Sequence, residues 1–195
     1  MTVEKAEARH AIDAEVIRGG SLDEGTEAVG KFMFECCGPD GRVKWCDEID
    51  NVVCTVGKNL ALDTYLAGAA YTVVGPFMGL ISSVGYGAGP VAGDTMTSHA
   101  GWTEAGGANV PTYSAPRKTC VWAASSGGAK ALSAALSFAV TGAGTFKGAF
   151  IVFGSGAVST IDSTAGVLYS AGTFAQGDKV VGNGDTLNVS YTASM

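Results

Sequence analysis

The chain has 195 residues, of which 47% are hydrophobic, only 15% are charged and 29 are glycine, with a formal net charge of −6. That length suits one domain with a real core, and the composition excludes a highly charged disordered chain; the glycines have no period of three, which excludes a collagen-like one. An acidic balance without clustered Lys or Arg argues against nucleic acid as a partner, and no run of about 18 apolar residues marks a membrane span. The start, Met1 to Glu7, has neither a basic region nor an apolar one of the secretory kind, so a soluble protein made in the cytosol is expected.

Charge is distributed unevenly. Residues 1–63 carry 13 acids and 7 bases, whereas residues 64–195 carry 5 of each together with 22 glycines. A solvated surface is ordinarily about a quarter or more charged. The long neutral segment therefore reads as one covered by other protein, against the plainer alternative of a small domain solvated by Ser, Thr, Asn and backbone.

Residues 1–28 interleave a few apolar side chains with acids and bases and end near Arg18-Gly19-Gly20-Ser21. A short helix around 4–17 fits the spacing, but the stretch cannot build a core alone, so it reads as a mobile or partner-ordered arm. A single folded domain is expected over 29–195. Lys31 to Cys36 has the aromatic-rich composition of a strand. Gly38-Pro39-Asp40-Gly41 is a turn in which proline presets φ and glycine can take the left-handed region. Arg42 to Trp45 returns as the second strand of a hairpin, and Asn51 to Thr55 continues as a short extended piece.

Residues 55–67 give the one helix, with Thr55 as its cap, Gly68 as its stop, and an apolar stripe of Val56, Leu60, Ala61, Leu62, Tyr65 and Leu66. Strands alone are expected beyond it. Thr72–Val74 and Phe77–Ile81 flank a break at Gly75-Pro76, and residues 82–95 form a glycine-rich loop. Lys118–Ala124, the alternating series Leu132 to Val140, Thr145–Phe153, and a last strand through Leu187, Val189 and Tyr191 complete the set. Eight or so short strands punctuated by glycine turns predict an all-β fold, an antiparallel sandwich or jelly roll, with the helix packed at an edge or end.

The five cysteines, Cys36, Cys37, Cys46, Cys54 and Cys120, are odd in number and include no Cys-x-x-Cys pair, so neither a disulfide framework nor a zinc site is expected. On a strand Cys36 and Cys37 point to opposite faces, one of them serving as a small buried hydrophobe. Ser98-His99 with Asp94 and Glu104 invites a hydrolase or metal reading, but no nucleophile turn accompanies it and the spacing fits no site logic. Gly85-x-Gly87-x-Gly89 is not the dinucleotide fingerprint, and Gly57-Lys58 lacks the upstream glycine of a phosphate loop. His99 is expected to hydrogen-bond the loop that carries Trp102. Two Gly-Asp-Thr triplets, at 93–95 and 184–186, read as turns that open strands rather than as calcium loops. No catalytic residue, metal or cofactor is assigned.

A resemblance rests on an ordered set of strings running from about Val29 to the C-terminus. The set begins with Lys58-Asn59-Leu60-Ala61-Leu62-Asp63-Thr64-Tyr65, Gly79-Leu80-Ile81 and Ala92-Gly93-Asp94-Thr95-Met96. It continues with His99-Ala100-Gly101-Trp102-Thr103-Glu104, Tyr113-Ser114 with Arg117, and Gly148-Ala149-Phe150. Gly166 to Gly172 and Gly184-Asp185-Thr186-Leu187 close it. The ordered set resembles a family of tailed-phage virion proteins, similar to small head proteins that sit on the capsid as cement or decoration. What the resemblance implies is virion membership, and a cement role on the capsid exterior is the further step; no enzyme is expected, because no convincing acid/base constellation is present. The protein's partners would be the major capsid protein and further copies of itself, as dimer or trimer. Interface candidates are Trp45, Trp102 and Trp122 as aromatic anchors, any of which can equally be core, with His99 and Arg117 from the matching strings. A tail or fibre component is the alternative, although the chain has no repeat of the fibre kind; a hydrolase ranks behind both.

Overall fold

The computed structural model of the chain describes residues 28–66, 74–175, 177 and 179–194. β1 (Val29–Cys37) and β2 (Val43–Asp50) form the first hairpin. In β1 Phe32, Phe34 and Cys36 turn inward while Met33 stays exposed, the alternation that a half-buried strand requires. The turn between them closes through Gly41 N–H to the Gly38 carbonyl at 2.9 Å, with Gly41 at φ 76°. Gly41 thus takes the left-handed conformation that its position predicts.

β3 (Val52–Val53) leads into α1 (Thr55–Leu66), and β4 (Phe77–Ser82) follows. The next strands are short: β5 (Thr112–Tyr113), β6 (Lys118–Thr119) and β7 (Ala129–Ala131). β8 (Leu136–Gly142), β9 (Gly144–Phe153), β10 (Val167–Thr173), β11 (Lys179–Val181) and β12 (Thr186–Ser194) complete the chain. They form two antiparallel six-stranded sheets. The first runs β2-β1-β12-β8-β5 with β7 also against β12; the second runs β3-β10-β9-β4-β6 with β11 against β9. β1 pairs along its whole length with β12, from Val29 opposite Ser194 to Cys37 opposite Thr186, so the two ends of the described body close one sheet. The fold is an all-β sandwich with one short helix.

Two cores result. Between the sheets, Phe32, Phe34, Phe138, Leu187 and Tyr191 meet Met78, Leu80, Phe146 and Ile151. On the far side of the second sheet, Ile81, Phe150, Val152, Leu168 and Ala171 are covered by Cys54, Met96, Trp102 and Ala157. The second sheet is therefore buried on both faces, which is why Ala149 to Val152 is a continuous apolar run rather than an alternating one.

Several elements differ from the sequence expectation. The helix uses Cys54, not Thr55, as its capping position, since the Cys54 carbonyl accepts the Lys58 N–H at 3.0 Å. Its stripe is narrower: Val56, Gly57 and Leu60 face the body, while Ala61, Leu62 and Leu66 are exposed. Ala67, Gly68, Thr72 and Val73 lie outside the described residues, as do residues 1–27 of the expected arm; Val74 is not in a strand. The 118–124 strand shortens to Lys118–Thr119 plus a single bridge from Trp122 to Leu132. The 132–140 series becomes a strand only from Leu136. The triplet at 184–186 does open β12, with the Asp185 carboxylate accepting the Gly182 N–H, but Thr95 makes only an isolated bridge to Ser98.

All five cysteines are free thiols. Cys36 is fully buried in the inter-sheet core and Cys37 faces partly outward. Burial raises the Cys36 and Cys54 thiols to about 11 and Cys120 to about 12, so these three are inert packing groups.

Candidate functional site

The polar residues singled out from sequence gather where the segment 83–111 lies over the second sheet. Thr103 to Ala105 runs beside the end of β4: Ser82 N–H donates to the Thr103 carbonyl and Ala105 N–H to that of Leu80, at 2.9 and 2.8 Å. This local pairing carries Trp102 and Glu104 into the interior, one on each side of Thr103.

Trp102 is 2% exposed, and its indole N–H donates to Asp94 Oδ2 at 2.9 Å. The same carboxylate oxygen accepts the Val91 N–H at 3.1 Å, tying the 91–94 turn to Trp102. His99 stacks on the indole with ring centroids 4.0 Å apart. Its Nδ1 lies 3.0 Å from the Trp102 carbonyl, which can only accept, so Nδ1 carries the proton. His99 thus bonds the loop that carries Trp102, as its position in the sequence predicts. Trp102 in turn lies against Phe150 at 5.3 Å, and the Arg117 guanidinium sits over the same ring at 5.3 Å.

Beneath this stack is a buried ion pair. Arg117 Nε and Nη2 donate to Glu104 Oε1 and Oε2 at 2.8 and 2.7 Å, a fork-on-fork pairing, and the Asp162 N–H donates to Oε2 at 2.8 Å. Arg117 also donates to the carbonyls of Val158 and Ser163 at 3.2 and 2.7 Å. Burial pushes the Glu104 carboxyl upward, opposed by the Arg117 bonds and the Asp162 N–H. Asp162 reaches it from a left-handed backbone with φ 62°. Gly79 keeps the space clear, because a Cβ there would collide with the Phe150 ring.

This constellation locks two long loops onto a sheet. Asp94 serves the indole, His99 a carbonyl and Glu104 a guanidinium, and none of the three bonds another. A cavity of about 190 Å³ remains between Met96, His99, Trp102, Glu104, Asp162 and Thr164. Among the described residues, no group of three or more His, Cys, Asp or Glu side chains is arranged to hold a metal ion.

The five interface candidates separate accordingly. Trp102 and Arg117, 2% and 1% exposed, are interior groups and offer no surface to a partner, which corrects that part of the expectation. The cause is local: pairing beside β4 drives Trp102 inward, and Arg117 follows the Glu104 carboxylate and the carbonyls of Val158 and Ser163. His99 is half-buried above them. Trp45 donates its indole N–H to the Val180 carbonyl at 3.1 Å and lies edge-on to Phe174, joining β2 to β11. Trp122 lies edge-on to Tyr191, half-buried against the inter-sheet core.

What reaches solvent along this layer was not singled out from sequence. Between residues 83 and 116 the only charged side chains, Asp94 and Glu104, are both buried, while Val84, Val91 and Val110 are 42%, 57% and 45% exposed. Among known proteins, no family model, no curated protein and no solved structure matches the chain.

Proposed function

We propose that the chain is a capsid cement or decoration protein, binding the exterior of an assembled shell of major capsid protein as a homo-oligomer. One observation carries the reading. Of the charged residues between 74 and 175, Asp94, Glu104 and Arg117 are buried and Lys118 and Lys147 are half-buried, leaving Lys130 and Asp162 exposed. So few charges over so long a stretch is the composition of a surface covered by protein rather than by water.

The residues that carry the resemblance to phage head proteins support the reading from a second direction. Gly79, Asp94, His99, Trp102, Glu104, Arg117 and Phe150 hold the loop layer in shape, which leaves the segment's exposed valines as the contact surface. A rigid, neutral face repeated over a symmetric shell gains affinity from multivalency, so each contact can be weak.

Co-sedimentation with assembled shells that lack the protein tests this. Wild type is expected to pellet with shells, and Val84→Asp with Val91→Asp to stay in the supernatant with an unchanged melting temperature. Equal pelleting of variant and wild type contradicts the assignment of this face.

A further inference from the structure

Among the described residues, the first sheet ends on β2 and β5 and the second on β3 and β6. β3, β5 and β6 have two residues each, too few to template another chain, but β2 has eight. Its ladder to β1 decides which of its amides face outward. Asn51 N–H donates to the Gly30 carbonyl at 3.0 Å, and bonded pairs alternate with unbonded ones, so Ile49, Asp47 and Trp45 also bond toward β1. Asp50, Glu48 and Cys46 turn their main-chain groups to the open edge. The Glu48 N–H meets the Asp47 carboxylate at 2.8 Å, so the open amide at the middle of the edge is that of Cys46.

The charges along this edge complement their own reverse. Arg42 stands four residues before Cys46 and Asp50 four after it, while Lys44 stands two before and Glu48 two after. Lys44 and Glu48 are answered within the chain, by Asp185 and by Lys31. Arg42 and Asp50 are both 88% exposed and have only loose partners, Asp40 at 3.6 Å and Lys31 at 3.7 Å. Laid antiparallel on itself about Cys46, β2 sets Arg42 against the second copy's Asp50 and Lys44 against its Glu48, each twice by symmetry. Moving the axis to Asp47 would set that carboxylate against its own copy, and moving it to Trp45 would set Asp50 against Asp40. Val43 and Val180, 55% and 62% exposed, flank Trp45 at the same edge and are covered by such pairing.

We propose that β2 pairs with β2 of a second copy about a two-fold axis at Cys46, joining the first sheets of two protomers into one. The axis is normal to the sheet, so the loop layers of both protomers lie on the same side and a repeating surface can hold both at once. The pairing gives the homo-oligomer of the capsid reading its interface and rests on that reading only for its use.

Sedimentation equilibrium of the full-length chain, without shells, tests it. Wild type should show a monomer–dimer equilibrium, and Arg42→Asp and Asp50→Arg should each raise the dimer dissociation constant roughly tenfold. The double variant should return toward wild type, and so should an equimolar mixture of the two single variants, because every acid then meets a base across the interface. Diamide, which takes two electrons and two protons from a pair of thiols, should trap the dimer as a disulfide in wild type but not in Cys46→Ser, since bonded partners lie about 5.5 Å apart at Cα. A monomeric or trimeric wild type overturns the proposal, as do single variants that dimerise like wild type, a mixture that restores nothing, or equal trapping in Cys46→Ser. Such a failure leaves co-sedimentation with shells to judge the capsid reading by itself.

Discussion

Glu104 and Arg117 sit where neither charge reaches water, 6% and 1% exposed, and each is the other's principal partner. Removing one member leaves an uncompensated buried charge, which costs far more than the pair itself contributes. Arg117→Met should therefore lower stability by about 3–5 kcal/mol in denaturant unfolding, and adding Glu104→Leu should recover much of that loss. A loss under about 1 kcal/mol for the single variant would mean that the loops do not depend on the pair. Asp185 gives a pH signature. Burial pushes its carboxyl up, but the Gly182 N–H and the Lys44 ammonium at 2.5 Å outweigh this and hold it below the ordinary value. A depressed carboxylate stabilises the fold above its unfolded value of about 3.9, and that contribution is lost as pH falls through the folded value. Melting temperature should fall below about pH 4, and less steeply in Asp185→Asn; parallel profiles for the two proteins would refute this. The signal for the buried pair is present in the sequence, because Glu104 and Arg117 are the only charged residues between 95 and 117. A lone acid and a lone base in an apolar stretch are candidates for each other. Their separation of 13 residues follows no helix or strand spacing, so only the folded loop brings them together.

At the scale of elements, legibility followed how many faces each strand buries. β1 and β12 alternate because the first sheet has a solvated face, and the Pro39-Asp40-Gly41 turn fixed the first hairpin. β10 was not read from its pattern, since it is buried on both faces and a register shift between Leu168 and Ser170 breaks its period. β5, β6 and β11, at two or three residues each, exist only because a longer neighbour offers them hydrogen bonds. The helix shows the opposite error. Its apolar positions overstated its buried face, because contact is made through Gly57, where a Cβ would lie 2.8 Å from the Tyr169 carbonyl oxygen. Gly57→Ala should thus destabilise by about 1–3 kcal/mol despite alanine's higher helix propensity, whereas Leu62→Lys on the exposed side should stay within about 0.5 kcal/mol. Thermal melts of both variants decide between this packing and the wider stripe, for which the order of effects would reverse.

At the scale of the molecule, the sandwich is a two-core body. One core joins the sheets and the other holds a loop layer against the second sheet. The uneven charge was legible from composition alone. Which side chains occupy the neutral surface was not, because exposure of Val84, Val91 and Val110 depends on where the ion pair and the indole anchor their segment. Few outward charges over residues 74–175, together with a neutral loop layer, are the observations on which the proposed contact with a shell rests. The most direct measurement is its copy number in purified particles relative to the major capsid protein, by quantitative mass spectrometry. Cement predicts a ratio near one to one or a simple fraction of it. A few copies per particle would contradict the account and place the protein in a tail, and absence from particles would contradict virion membership itself.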